Sequence, residues 1–210
     1  SKEKISKISE ALTSLEKIII IKNIKSEGNH PLTNLKSIFY DDFISNNPDP
    51  LIFEQLPFDH PLYILYSSGT TGLPKSIVHS AGGTLIQHLK ELKLHCNLRR
   101  EDCIFYFSTC GWMMWNWLVS SLAVGSSIVL YDGSPFYPDK YNLWKMAEEL
   151  KISIFGTSAK FIDSCKKNNI IPIIKNNLNS LNTLLSTGST LSDDAFKYVY
   201  SDIKEDVLLG

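Results

Sequence analysis

Apolar residues recur along this chain in two rhythms. Near the N-terminus Ile5, Ile8, Leu12 and Leu15 fall at helical spacing and mark one face of an amphipathic helix. Ile18 to Ile21 is short, continuous and β-branched, which predicts a buried strand. Residues Lys25 to Pro61 hold Pro31, Pro48, Pro50, Pro57 and Pro61 among Asn and Asp clusters. That composition predicts mostly connection, with a short strand at Ser37–Tyr40. Phe43, Phe53 and Phe58 are expected to pin this stretch against the main body.

From Leu62 onward short apolar runs alternate with helical spacing. Strands are predicted at Leu62–Ser67, Cys103–Phe107, Ser127–Tyr131, Ile152–Phe155, Thr183–Ser186 and Val207–Leu209. Between them, Leu85, His88, Leu89 and Leu92 mark a helix starting near Gly82-Gly83, and Trp112–Val124 a second. Leu143, Met146, Ala147 and Leu150 mark a third, and Phe161, Ile162 and Cys165 a fourth. Ser192 is placed to cap a further helix, with Asp193 and Asp194 in its first turn opposing the dipole. Met113, Met114, Trp115 and Trp117 are read as helical core rather than pocket, and Ile170 and Ile171 as lone surface residues. Strands and helices in alternation mean an α/β fold with a largely parallel, doubly wound sheet and helices on both faces. The chain is expected to organise as a helix–strand segment with a Pro-rich connection over 1–60, then a nucleotide-binding α/β portion over 61–210.

Ligands of such sheets bind beyond the carboxyl ends of the strands. Three loops follow predicted strands directly: residues 68–75, Thr109-Cys110-Gly111-Trp112 and Ser186-Thr187-Gly188-Ser189-Thr190. All three are therefore expected at one edge. The first carries the most chemistry. Tyr66 to Lys75 reads Tyr-Ser-Ser-Gly-Thr-Thr-Gly-Leu-Pro-Lys. Gly69 and Gly72 let backbone N–H groups approach an anion closely and tolerate positive φ. Ser67, Ser68, Thr70 and Thr71 add hydroxyl donors, and Lys75 adds a compact positive charge, a combination that suits a polyphosphate. Walker A spacing is absent, because Gly69 and Gly72 are three apart and Lys75 follows Pro74. The plain alternative is a Ser/Gly-rich surface turn ending in an exposed lysine.

This decapeptide resembles the phosphate-binding signature of adenylate-forming enzymes: acyl- and aryl-CoA synthetases, luciferases and peptide-synthetase adenylation domains. Ser76–His79, Gly111–Asn116, Ile128–Pro135 and Phe155–Phe161 resemble the acetoacetyl-CoA synthetase branch, and the likeness runs in order from about Pro61 to Gly210. It implies an ATP-dependent acid–CoA ligase that makes an acyl-adenylate and then a CoA thioester, and an incomplete part of that enzyme's N-terminal domain as the fold. It implies that Ser67, Ser68, Gly69, Thr70, Thr71 and Gly72 hold the departing phosphates and that Lys75 neutralises β/γ charge. Gly111 and Trp112 would line a small acyl pocket, with core packing the alternative for Trp112. Thr187, Gly188, Ser189 and Thr190 would border adenine, Thr190 standing where relatives commonly carry proline.

The same resemblance places the magnesium-binding glutamate, the ribose-binding aspartate and the adenylation lysine beyond Gly210. The chain is accordingly expected to be an inactive fragment with no metal ligands of its own. ATP, Mg2+ and CoA are the implied cofactors and co-substrates, and acetoacetate the implied acid. A ligase for another short acid, a non-catalytic nucleotide-binding module and a ligand-free remnant stay open.

Bulk composition removes other classes. The 210 residues are 43% hydrophobic and 20% charged with a formal net charge of -1, an ordinary globular balance that suggests no nucleic-acid partner. Cys96, Cys103, Cys110 and Cys165 have no zinc spacing and suit buried thiols in a reducing cytoplasm. His79 lacks triad partners and reads as structural. No charge occurs from Cys103 through Tyr131, but Ser, Thr, Gly and Asn interrupt the run at turn positions, so no membrane span is expected.

Overall fold

The helix marked by Ile5 and Ile8 runs from Lys2 to Ala11 (α1) in the computed structural model, which describes residues 2–22, 37–44, 50–67 and 72–210. It stops short of Leu12 and Leu15, next to Thr13 and Ser14, whose hydroxyls compete for backbone groups. β1 (Ile18–Ile20) pairs in parallel with β2 (Ser37–Phe39), with Ile19 opposite Ile38, and Lys22 Nζ lies 4.1 Å above the Phe39 ring. A single turn of helix, α2 (Tyr40–Phe43), follows. The isoleucine strand is not buried as expected: Ile19 and Ile21 are exposed, since a two-stranded sheet leaves each strand one neighbour. Phe43 is exposed too, and Phe53 is 73% exposed. The predicted turns at Pro31 and Pro48 lie outside the described residues.

The chain divides into two compact units, Ser1–Gln55 and Leu56–Gly210. In the second, β3 (Pro61–Ser67) pairs antiparallel with β4 (Lys75–Ser80), and this hairpin is a sheet of its own. The β4 strand was not predicted, and β3 does not join the parallel sheet as expected. The physical reason is the short loop between them, which suits antiparallel neighbours, whereas parallel neighbours need a long crossover. Ser80 ends the hairpin and caps α3 (Ala81–Lys90), its hydroxyl accepting from the Gly83 N–H at 3.3 Å. Phe58 is 62% exposed, yet Gly82 donates to its carbonyl at 3.0 Å and a Cβ on Gly82 would sit 2.1 Å from its ring. A π-turn, Glu91–His95, ends α3.

The five-stranded sheet that follows is wholly parallel. It comprises β5 (Cys103–Tyr106), β6 (Ser127–Val129), β7 (Ile154–Ser158), β8 (Thr183–Thr187) and β9 (Leu208–Leu209), in the order β6-β5-β7-β8-β9. Linking them are α4 (Met113–Ser120), α5 (Asn142–Glu149), α6 (Ala159–Lys167), α7 (Pro172–Lys175) and α8 (Asp193–Tyr198). Ser158 and Ser192 cap α6 and α8 by accepting from Phe161 and Ala195 N–H groups.

Alternate strand residues go to opposite faces, as the pleat requires. Phe105, Phe155 and Leu184 join the core under α5, α6 and α8, where Trp144 stacks on Phe155 at 4.9 Å. Ile104, Tyr106 and Ile154 join Leu92, Trp117 and Leu118 on the other face, under α3 and α4. Helices therefore cover both faces, and the predicted fold class holds. Local readings shift: β5 and β6 end before Phe107 and Leu130, and β7 begins at Ile154. Ile170, expected on the surface, is 0% exposed, held where the Tyr198 hydroxyl donates to its carbonyl. No helix among the described residues is long and apolar enough to cross a membrane.

Candidate functional site

The hairpin closes on the pair Ser67↔Lys75, which sets the two ends of the loop opposite each other. Ser68, Gly69, Thr70 and Thr71 lie outside the described residues. Gly72, at the loop's return, has φ +97°, a backbone state that L side chains rarely adopt. Lys75 is exposed and makes no ion pair among the described residues. Because β3 belongs to its own sheet, the rule about parallel strand ends does not locate this loop.

That rule does locate the other two. β5 and β8 run parallel on either side of β7, so residues 109–112 and 188–190 leave the same edge of the sheet. They also touch. Trp112 Cζ2 lies 3.4 Å from where a Gly188 Cβ would stand, and Gly188 itself has φ +87°. Gly188, Ser189 and Thr190 are exposed, Thr187 and Trp112 half-buried, and Gly111 exposed.

Beneath Trp112 lies a device that local sequence reading missed. The Tyr106 ring crosses β7 at Gly156, where a Cβ would fall 2.0 Å from its Cδ2. Its hydroxyl donates to the Thr157 carbonyl at 3.1 Å. Burial pushes the phenol well above its ordinary range, so it remains a donor. Trp112 and Trp117 meet this ring edge-on, with centroids at 5.9 and 6.1 Å. Gly156 inside the apolar run Ile154–Thr157 was the one available signal, since a strand glycine often marks close approach.

Between hairpin and sheet lies a cleft of about 1020 Å³. Leu65 and His79 of the hairpin, His88 of α3, Met113 and Met114 of α4 and Thr187 of β8 line it. Of the predicted site residues that are described, Thr187 is the one that reaches it. Met113, Met114 and Trp117, read from sequence as core, line it as well; Trp117 is also core, being buried, and Met114 packs against the same cluster. His88 Nδ1 is 2.8 Å from Ser120 Oγ, which donates to the Asn116 carbonyl, so the imidazole is the donor to Ser120. Burial lowers the His88 pKa, neighbouring His79 lowers it further and Glu91 opposes them. Thr84 Oγ1, Trp117 Nε1 and Ser186 Oγ, all on residues lining the cleft, are buried without a hydrogen-bond partner among the described residues.

The thiols divide. Cys96 and Cys165 are buried as expected, their pKa values pushed up to about 11 and about 12 by desolvation. Cys110 is exposed in the loop beside Gly111, because that turn stands beyond the strand's end. Among the described residues no group of three or more His, Cys, Asp or Glu side chains is placed to hold a metal.

Comparison with known proteins fits this geometry. The family model described as AMP-binding enzyme matches residues 2–208. The acetoacetyl-CoA synthetase of Danio rerio is 51% identical across 99% of this chain and 32% of its own length. That of Rhizobium meliloti is 58% identical across 80% of this chain and 26% of its own. The solved structure of acetoacetyl-CoA synthetase from Streptomyces lividans matches with a TM-score of 0.85 at 38% identity, over 99% of this chain and 32% of that one. The chain thus spans about a third of the length of these relatives.

Proposed function

Because the chain belongs to the AMP-binding enzyme family, we propose that it forms the phosphate- and acid-holding part of an acetoacetate–CoA ligase. In that reaction the acid's carboxylate attacks the α-phosphorus of ATP and pyrophosphate departs. The CoA thiol then attacks the acyl-adenylate carbonyl and AMP departs. Charge builds on the leaving phosphates, so preorganised donors aimed at them lower the barrier. Ser67, Ser68, Thr70 and Thr71, with the N–H groups of Gly69 and Gly72, suit that task, and Lys75 brings a cation free of any ion pair among the described residues. Thr187 to Thr190 would border the adenine. Gly111 and Trp112 would face the acid, with Met113 and Met114 on the cleft wall behind them. Mg2+, when bound, would offset charge on the departing phosphates. The free thiols suit a cytoplasmic setting.

The observation that carries this reading is the contact of Trp112 with Gly188, which brings two of the three predicted loops together at one strand edge. Grafting this chain into the matched third of the Streptomyces lividans enzyme tests it. The graft should catalyse acetoacetate-dependent ATP–pyrophosphate exchange, and Lys75→Ala should remove it. A folded graft without exchange overturns the ligase reading. A second reading is nucleotide binding without catalysis. It wins if the chain alone binds ATP through Lys75 while the graft stays inert.

A further inference from the structure

We propose that Tyr106 is a positioning residue: seated over Gly156, it holds the Trp112 indole against Gly188 and so limits the acyl length the site accepts. This rests on the reading that the Trp112 edge takes the acid. Tyr106 is only 3% exposed and is fixed from three directions. Its hydroxyl is tied to the Thr157 carbonyl on the neighbouring strand, its ring occupies the space Gly156 leaves, and Trp117 braces it at 6.1 Å. Trp112 is the opposite case. It is half-buried, at the N-terminal cap of α4, and Tyr106 is its one ring contact among the described residues. A partly solvated indole has rotamer freedom, and an edge-on contact with an immobile ring restrains it. Tyr106 and Gly156 are far apart in sequence, yet strand register Tyr106↔Gly156 makes them direct neighbours. Any side chain at 156 would displace the ring and release the indole.

The test uses this chain with two stable mimics of an acyl-adenylate, acetoacetyl- and octanoyl-sulfamoyl adenosine, and measures the ratio of their affinities. The wild-type chain is expected to prefer the acetoacetyl compound. Tyr106→Leu should cut that preference by about tenfold, mainly by tightening the octanoyl compound, while Tyr106→Phe, which keeps the ring, should change it by less than about threefold. Equal weakening of both compounds in Tyr106→Leu would mean a merely structural role and would overturn the proposal. So would a wild-type chain that binds both compounds equally, which leaves the ligase reading standing. A wild-type chain that binds neither overturns this proposal, and exchange by the graft then decides whether the ligase reading falls with it. A second measurement needs no variant. In the acetoacetyl complex of the wild-type chain, nuclear Overhauser contacts from the acyl protons to the Trp112 indole are expected, and their absence overturns the proposal.

Discussion

The two faces of the parallel sheet use neighbouring residues of the same strands and end up unlike each other. Phe105, Phe155 and Leu184 point into a face sealed by α5, α6 and α8, where Trp144, Phe155 and Phe161 form a continuous aromatic stack. Ile104, Tyr106 and Leu185 point to the other face, which is packed at one end by α3 and α4 and opens at the other into the cleft. The sealed face also buries polar groups, Trp144 Nε1 and the Tyr198 hydroxyl; the open face carries Thr84 Oγ1, Trp117 Nε1 and Ser186 Oγ without partners among the described residues, the His88–Ser120 hydrogen bond and two indoles around a tyrosine. Burying unsatisfied polar atoms destabilises, so the apolar packing of both faces must offset it.

The sharpest way to break this contrast is a pair of tryptophan truncations. Trp144→Ala removes a fully buried ring and should cost about 3–5 kcal/mol in urea unfolding. Trp112→Ala, on the half-buried rim, should cost less than about 2 kcal/mol. Equal costs would erase the distinction. Lys75→Ala comes next: ATP affinity measured by calorimetry should fall by about tenfold or more, with Tm unchanged, since no ion pair among the described residues is lost. Tyr198→Phe, which frees the Ile170 carbonyl on the closed face, should cost about 1 kcal/mol.

The smallest effect concerns pH. His88 is held neutral in the folded chain by burial, so its folded pKa lies below the unfolded value of about 6.5. As pH falls through 6.5 the unfolded chain takes up the proton first, and stability is lost until the folded imidazole also protonates. Above that range the contribution is constant. Urea midpoints at pH 8, 6.5 and 5 should show this slope in the wild type and a flatter one in His88→Gln.

Most of the fold was legible because its strands are short apolar runs set between helical spacings and capping serines, as at Ser158 and Ser192. The misses share a cause. Lys75–Ser80 reads as loop because polar residues flank Ile77 and Val78, and only pairing with β3 makes it a strand. Ile170 reads as surface because Tyr198, whose hydroxyl donates to its carbonyl, lies 28 residues further on, outside any local window. At the site, loop residues could be read from their types. The Tyr106–Gly156 crossing and the cleft-lining role of Met113 and Met114 depend on register and on packing between distant segments. Side-chain chemistry is local in sequence; the walls around it are not.

The central claim is that the hairpin loop and the Trp112–Gly188 edge serve one ligand. Backbone amide shifts recorded while ATP is titrated into the chain test it directly. The account predicts saturable changes at Gly72 and Lys75 together with Thr187 and Gly188. Changes confined to the crevice at the opposite strand ends, around Asn97, Arg99 and Asn182, would contradict it.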